Sequence, residues 1–291
     1  MNYRHTYHAG NFADVLKHIV LCRLVGYLTH KDKPFFVLDS HAGRGAYDLG
    51  GDEARRTQEA EYGIARILGQ STEAPSEVLP YLDLVRGMNP SSHVITNYPG
   101  SPLIIKKLLR TKDRLVAVEL HPEDAKDLRR VFRGDPQARV EVRDGYEAIK
   151  ALLPPPERRG LVLIDPPFER ADEFQCLIRV LKEAERRWVT GTYAIWYPIK
   201  TRPPVDKFLK ALRRFAFKEI WVAELAPFSF DHLERLNGCG LALINPPYTL
   251  GIELNRILPW LCRILSREPG ASWRVERLIP QENHRKGVPP A

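Results

Sequence analysis

Cysteine is scarce in this 291-residue chain. Its four copies, Cys22, Cys176, Cys239 and Cys262, are scattered and never form C-x-x-C. That argues against a disulfide framework and against a cysteine zinc site, and it fits reduced thiols. Apolar runs are short, and none reaches the roughly 18 residues that a membrane helix requires. The opening Met1-Asn2-Tyr3-Arg4-His5 leads into no apolar signal core, so the expected setting is cytoplasmic, with no membrane partner. The dinucleotide fingerprint G-x-G-x-x-G is missing, and so is any internal repeat.

What is present is ordinary for a globular protein: 44% hydrophobic and 27% charged residues. This excludes a mainly disordered, collagen-like or coiled-coil chain. Lys+Arg 44 against Asp+Glu 36 leaves a net charge of +8, a moderate excess that suits a polyanionic partner.

Short apolar runs alternate with amphipathic stretches, the pattern of a parallel sheet covered by helices. Strands are predicted at residues 35–39, 115–119, 140–143, 161–165, 192–197, 219–224 and 241–245. The fold class is α/β with a seven-stranded sheet. Residues 14–28 read as a helix with Asp14 as a first-turn acid. After Gly45 the strand–helix rhythm stops, and residues 53–68 and 76–88 look helical. The expected organisation is a core of residues 1–45 and 97–280, a helical insertion at 46–96, and a frayed tail at 281–291.

Ligands of parallel sheets bind at the strand C-termini. The first predicted strand ends in Asp39-Ser40-His41-Ala42-Gly43-Arg44-Gly45, where Gly43 lets the backbone turn and approach a ligand. Glu119 ends the next strand and can accept both hydroxyls of a ribose. Asp144-Gly145 ends the third, where a carboxylate can accept from an adenine amine. Each alone is an ordinary turn or helix cap. In order on successive strands they make a site for an adenosine-containing cofactor. S-adenosylmethionine fits better than a dinucleotide, because the insertion separates the glycine turn from the next helix.

The fourth predicted strand runs into Asp165-Pro166-Pro167-Phe168. An adenine N6 amine is a poor nucleophile because its lone pair is delocalised into the ring. Asp165 can accept one N6–H and the Pro166 carbonyl the other. Consecutive prolines stiffen that carbonyl, and Phe168 can stack on the base. Asn245-Pro246-Pro247-Tyr248 repeats the pattern on the last strand, but its place in the winding argues for Asp165.

These residues carry a family resemblance. Tyr3-Arg4-His5-x-Tyr7-His8-Ala9-Gly10-Asn11, Ala13-Asp14-Val15-Leu16-Lys17-His18, Asp39-x-His41-Ala42-Gly43, Tyr98-Pro99-Gly100-Ser101-Pro102, Glu119-Leu120-His121-Pro122 and Asp165-Pro166-Pro167 resemble the bacterial 23S rRNA adenine-N6 methyltransferases called RlmJ. The resemblance implies a class I, Rossmann-like methyltransferase fold, S-adenosylmethionine as donor and a large-subunit rRNA adenine as substrate. It implies cofactor contacts at His18, His41, Ser101, Glu119, Asp144 and Gly145, joined by Gly43 and Asp165. Asp165 becomes the catalytic carboxylate, with Pro166 and Phe168 beside it, and Tyr3 the tyrosine that influences substrate handling. Arg4 and Lys17 are placed on the RNA side. The chain departs from the family at Arg44, and at Phe168, where relatives often carry Tyr.

Lys17 has two open readings, approach to the transfer site or an ordinary surface lysine. His5, His8, His18 and His41 suggest a metal, but polar contacts to cofactor and RNA fit better, and no metal is expected. A basic cluster from Lys200 to Lys218 offers phosphate contacts through Lys207 and Lys210. A monomer acting on free or early-assembly RNA is the expectation. The rivals are a DNA adenine-N6 methyltransferase, a non-catalytic RNA-binding assembly protein, and a metal-dependent nuclease.

Overall fold

A computed structural model describes residues 4–90 and 95–278. The main sheet has eight strands rather than the seven predicted, in the order β10-β8-β9-β7-β6-β1-β4-β5. Six run in the same direction: β1 (Phe36–Asp39), β4 (Arg114–Val118), β5 (Ala138–Glu141), β6 (Gly160–Ile164), β7 (Thr192–Ile199) and β8 (Ile220–Ala226). β9 (Gly238–Ile244) runs antiparallel between β7 and β8. That order, with one reversed strand near its end, is the topology of class I methyltransferases. The eighth strand, β10 (Ser272–Leu278), pairs antiparallel with β8 at the edge. Its sequence, Ser-Trp-Arg-Val-Glu-Arg-Leu, reads as polar coil because only one side of an edge strand has a partner.

Both sheet faces are covered, which is why the central strands are apolar throughout. Along β6 the side chains alternate between two cores, Leu161 and Leu163 in one, Val162 and Ile164 in the other. The first core is closed by α1 (Phe12–Thr29), α5 (Ser101–Leu108) and α10 (Leu250–Leu265), the second by α7 (Gly145–Leu152), α8 (Glu173–Trp188) and α9 (Arg202–Leu212). α1 buries 13 of its 18 residues. It starts where Asn11 caps it by accepting from the amides of Ala13 and Asp14.

After β1 the chain forms a two-stranded ribbon of β2 (Ala46–Asp48) and β3 (Asn97–Pro99). Between them lie α2 (Asp52–Thr57), a π turn at Glu61–Ala65, α3 (Arg66–Gly69) and α4 (Leu79–Gly87). The single helix predicted over 53–68 is therefore broken. Gln58 adopts a left-handed φ of 55° and Gly63 leaves helical geometry. The cause is close backbone contact: the Ile64 amide donates to the Gly10 carbonyl, and a Cβ on Gly63 would stand 2.0 Å from that oxygen. No helix among the described residues is long and apolar enough to cross a membrane.

Candidate active site

Three acids sit at or just beyond the C-terminal ends of neighbouring strands: Asp39 on β1, Glu119 after β4 and Asp165 after β6. Asp39 is buried, and burial pushes its carboxyl up to about 7 despite the Ser101 hydroxyl, which donates to Oδ2 at 2.6 Å. Gly43 follows with φ of 61°, and a Cβ there would lie 2.3 Å from the Tyr47 hydroxyl. The Gly43 amide donates to Glu119 Oε2 at 2.9 Å, and the His121 amide donates to Oε1 at 2.7 Å. Each Glu119 oxygen thus holds one backbone donor and keeps acceptor capacity. Burial raises its pKa against those bonds.

His41 has a defined tautomer. The Ser40 hydroxyl, 2.8 Å from His41 Nδ1, also donates to the Leu163 carbonyl at 2.8 Å. Its one hydrogen is used there, so Nδ1–H donates to Ser40 and Nε2 is an acceptor. Desolvation lowers the ring to about 4, so it is neutral at pH 7. Gly145 lies against it: a Cβ would stand 2.2 Å from the Ser40 carbonyl and 2.8 Å from the ring. Gly145→Ala is expected to displace His41, cost about 1–3 kcal/mol of stability, and weaken cofactor binding; calorimetry and a thermal melt check both.

Asp144 takes the helix-cap role. Its Oδ1 accepts from the Tyr146 and Glu147 amides at 2.8 and 3.0 Å at the start of α7. Neither Asp144 nor Gly145 lines the main cavity; both adjoin it through His41.

Lys17 is not a surface residue. Its side chain is 6% exposed and its Nζ lies 2.6 Å from Asp165 Oδ2 and 2.8 Å from Asp14 Oδ1. Burial opposes the charge, but the two carboxylates outweigh it and hold the ammonium well above its ordinary pKa. Asp14, predicted only as a first-turn acid, accepts at Oδ2 from the Gly10 amide at 2.9 Å and meets His5 Nε2 at 2.9 Å. Burial would raise its pKa, but His5, Lys17 and His18 bring it well below the carboxylate range.

Phe168 adopts a left-handed φ of 51°, a conformation in which a bulky residue stores strain. Edge-to-face contacts with Phe174 at 5.0 Å and Trp196 at 5.9 Å between centroids hold the ring.

These residues surround one cavity of about 650 Å³, a size typical of small-molecule sites. His18, His41, Gly43, Ser101 and Glu119 line it together with Lys17, Asp165, Pro166 and Phe168. Trp196, Lys200, Phe228, Arg235 and Arg267 complete the wall. Lys200 was visible only as one member of a basic run, and the others carried no sequence signal. Arg4 lies outside the cavity lining, 2.6 Å from Glu123 and 3.6 Å from Asp124, which also meets Arg44 at 2.6 Å. Lys207 and Lys210 are exposed on α9, also outside the cavity lining. Tyr3 lies outside the described residues. Among the described residues no group of three or more His, Cys, Asp or Glu could hold a metal ion.

The second proline motif lies at the opposite end of the strands from Asp165. Because β9 is antiparallel, Asn245 emerges near the start of β7, and its amide donates to the Val189 and Gly191 carbonyls at 2.8 and 2.9 Å.

Residues 32–279 match the family model described as "Ribosomal RNA large subunit methyltransferase D, RlmJ". The chain belongs to the RlmJ family. It is 41% identical to the Ribosomal RNA large subunit methyltransferase J of Haemophilus influenzae, covering 97% of this chain and all of the relative. It is 44% identical to the protein of the same name from Escherichia coli, over 90% of this chain and 92% of the relative. A crystal structure of a Legionella pneumophila protein superposes with a TM-score of 0.85 at 39% identity, covering 92% of this chain and 98% of that one. As an RlmJ family member the chain is a methyltransferase with S-adenosylmethionine as its methyl donor.

Proposed function

We propose that this enzyme methylates the N6 amine of an adenine in 23S rRNA, with Asp165 as the catalytic carboxylate. The observation that carries the reading is the joining of Asp165, Glu119 and Gly43 in one cavity, with Asp165 held by a buried ammonium. The residues fit the cofactor. Glu119 keeps acceptor capacity for ribose hydroxyls, and His18 Nε2 is a buried polar atom without a partner among the described residues. His18, His41, Gly43, Ser101 and Glu119 would hold the donor, with Asp144 and Gly145 supporting them through His41.

When bound, the cofactor supplies an electrophilic methyl group on a sulfonium. The protein's task is to present a weak nucleophile. Lys17 occupies Asp165 Oδ2, which leaves Oδ1 for the amine. Asp165 Oδ1 and the Pro166 carbonyl each accept one N6–H, favouring the pyramidal form whose lone pair can attack. Phe168, fixed by Phe174 and Trp196, stacks on the base. The proton that the methylated amine sheds passes to its acceptor, Asp165 Oδ1. Positioning does most of the work, and no covalent enzyme intermediate is needed.

Such a recessed pocket requires an unstacked or flipped adenine. Lys200 and Arg267 are exposed in the cavity wall, where they would meet the flanking phosphates. Lys207 and Lys210 would touch only RNA further from the target base. The rRNA substrate supports a cytoplasmic location.

The test compares tritium transfer from labelled S-adenosylmethionine onto deproteinised rRNA, intact large subunits and duplex DNA. Label on deproteinised 23S rRNA, mapped by mass spectrometry to one N6-methyladenine, is expected. Preferential labelling of DNA, or of a base other than adenine, overturns the reading.

A further inference from the structure

His18 belongs to the cavity wall, but the other side of its ring joins a chain of buried hydroxyls. His18 Nδ1 lies 2.8 Å from the Tyr98 hydroxyl, which lies 2.9 Å from the Tyr81 hydroxyl. Both tyrosines are fully buried. Tyr98 belongs to β3, and Tyr81 to α4, within the segment inserted after β1.

Proton bookkeeping along this chain has one good solution. Tyr98 is the only polar partner of the Tyr81 hydroxyl among the described residues. A buried hydroxyl hydrogen with no acceptor is costly, so Tyr81 donates to Tyr98. The Tyr98 oxygen then accepts, and its own hydrogen turns to His18 Nδ1. A neutral imidazole that accepts at Nδ1 carries its hydrogen on Nε2. Burial keeps the ring neutral, lowering it to about 3 against the attraction of Asp14. Nε2 is itself buried, and Asp14 Oδ1, at 4.0 Å, is beyond hydrogen-bond reach. The result is a buried neutral N–H, on a residue that lines the cavity, with no protein acceptor among the described residues.

We propose that Tyr81 and Tyr98 are positioning residues that fix His18 as an Nε2–H donor to the carboxylate at the amino-acid end of the cofactor. The carboxylate is the charged, acceptor-only group of that ligand, whereas its ribose hydroxyls suit the acid Glu119. His41, set as an acceptor by Ser40, complements His18 as a donor. The proposal rests on the cofactor reading given above and adds the insertion segment to the binding machinery.

Histidine ring nitrogen NMR on the cofactor-free protein tests the relay directly, with His18 assigned through His18→Gln. The wild type is expected to show the Nε2–H tautomer at pH 7. Tyr81→Phe removes only the hydroxyl farthest from the cavity, yet it should yield a mixture of tautomers. Calorimetry then compares S-adenosylhomocysteine with 5′-methylthioadenosine, which lacks the amino-acid end. Tyr81→Phe and Tyr98→Phe should each weaken S-adenosylhomocysteine binding by about 3- to 10-fold, the scale of one neutral hydrogen bond, and leave methylthioadenosine binding unchanged. An Nδ1–H tautomer in the wild type, or equal losses for both ligands, overturns the relay. Wild-type protein that binds neither ligand overturns the cofactor reading instead.

Discussion

Asp165→Ala is expected to lower methyl transfer by about 10²–10³-fold, the scale seen when one preorganised polar group is removed from a reacting centre. S-adenosylhomocysteine affinity should change by less than about twofold, the error of such a titration, because the donor's ribose and carboxylate are assigned to other residues. The reason lies in the amine. Without Oδ1 the N6–H has one acceptor, the Pro166 carbonyl, and the lone pair stays in the ring. The loss should fall on kcat and kcat/KM alike, the mark of an interaction made in the transition state. Asp165→Asn keeps a carbonyl oxygen but trades an ion pair for a neutral contact with Lys17, and should fall between. Turnover undiminished in Asp165→Ala would remove this residue from the mechanism.

Lys17→Met should have the largest effect on the fold. It deletes the ammonium between Asp14 and Asp165, whose side chains are 1% and 17% exposed. Asp14 keeps the Gly10 amide and His5, but its buried charge is no longer balanced. Breaking a buried pair from one side costs about 3–5 kcal/mol. At about 2–4 °C per kcal/mol for larger domains, the melting temperature should drop by roughly 10 °C. Methyl transfer should fall too, since Asp165 loses the contact that orients it. Adding Asp14→Asn removes the stranded charge and should restore part of the stability but none of the activity. A thermal melt and a transfer assay separate the two effects. A Lys17→Met protein as stable as the wild type would mean that Asp14 is fully satisfied without it.

The strands nearest the site were legible because each is buried on both faces and so reads as an unbroken apolar run ending in an acid. Their edges moved by only one or two residues, as at Gly160–Ile164 against the predicted 161–165. The Asp-Pro-Pro-Phe turn was legible because two prolines and an aromatic ring after such a strand are rare together. Direction was not. Nothing in Leu243-Ile244-Asn245 tells that β9 runs backwards, yet that reversal alone takes the second proline motif away from the cavity. The Asp14–Lys17–Asp165 contact was equally hidden, since its partners lie 148 residues apart. Helical periodicity over 53–68 was real but was overruled by the backbone of Gly10 against Gly63.

The Lys17–Asp165 contact bears on the order of assembly as the chain is made. The helix α1 leaves the ribosome before the strands it rests on, with apolar residues on all its sides. Its counter-charge and the strands it rests on emerge well over a hundred residues later. At some 5–20 residues per second, that helix waits roughly 7–30 seconds for a surface to settle on. A nascent chain of this protein is therefore expected to engage holdase chaperones early, and to gain a working pocket only when its first helix docks.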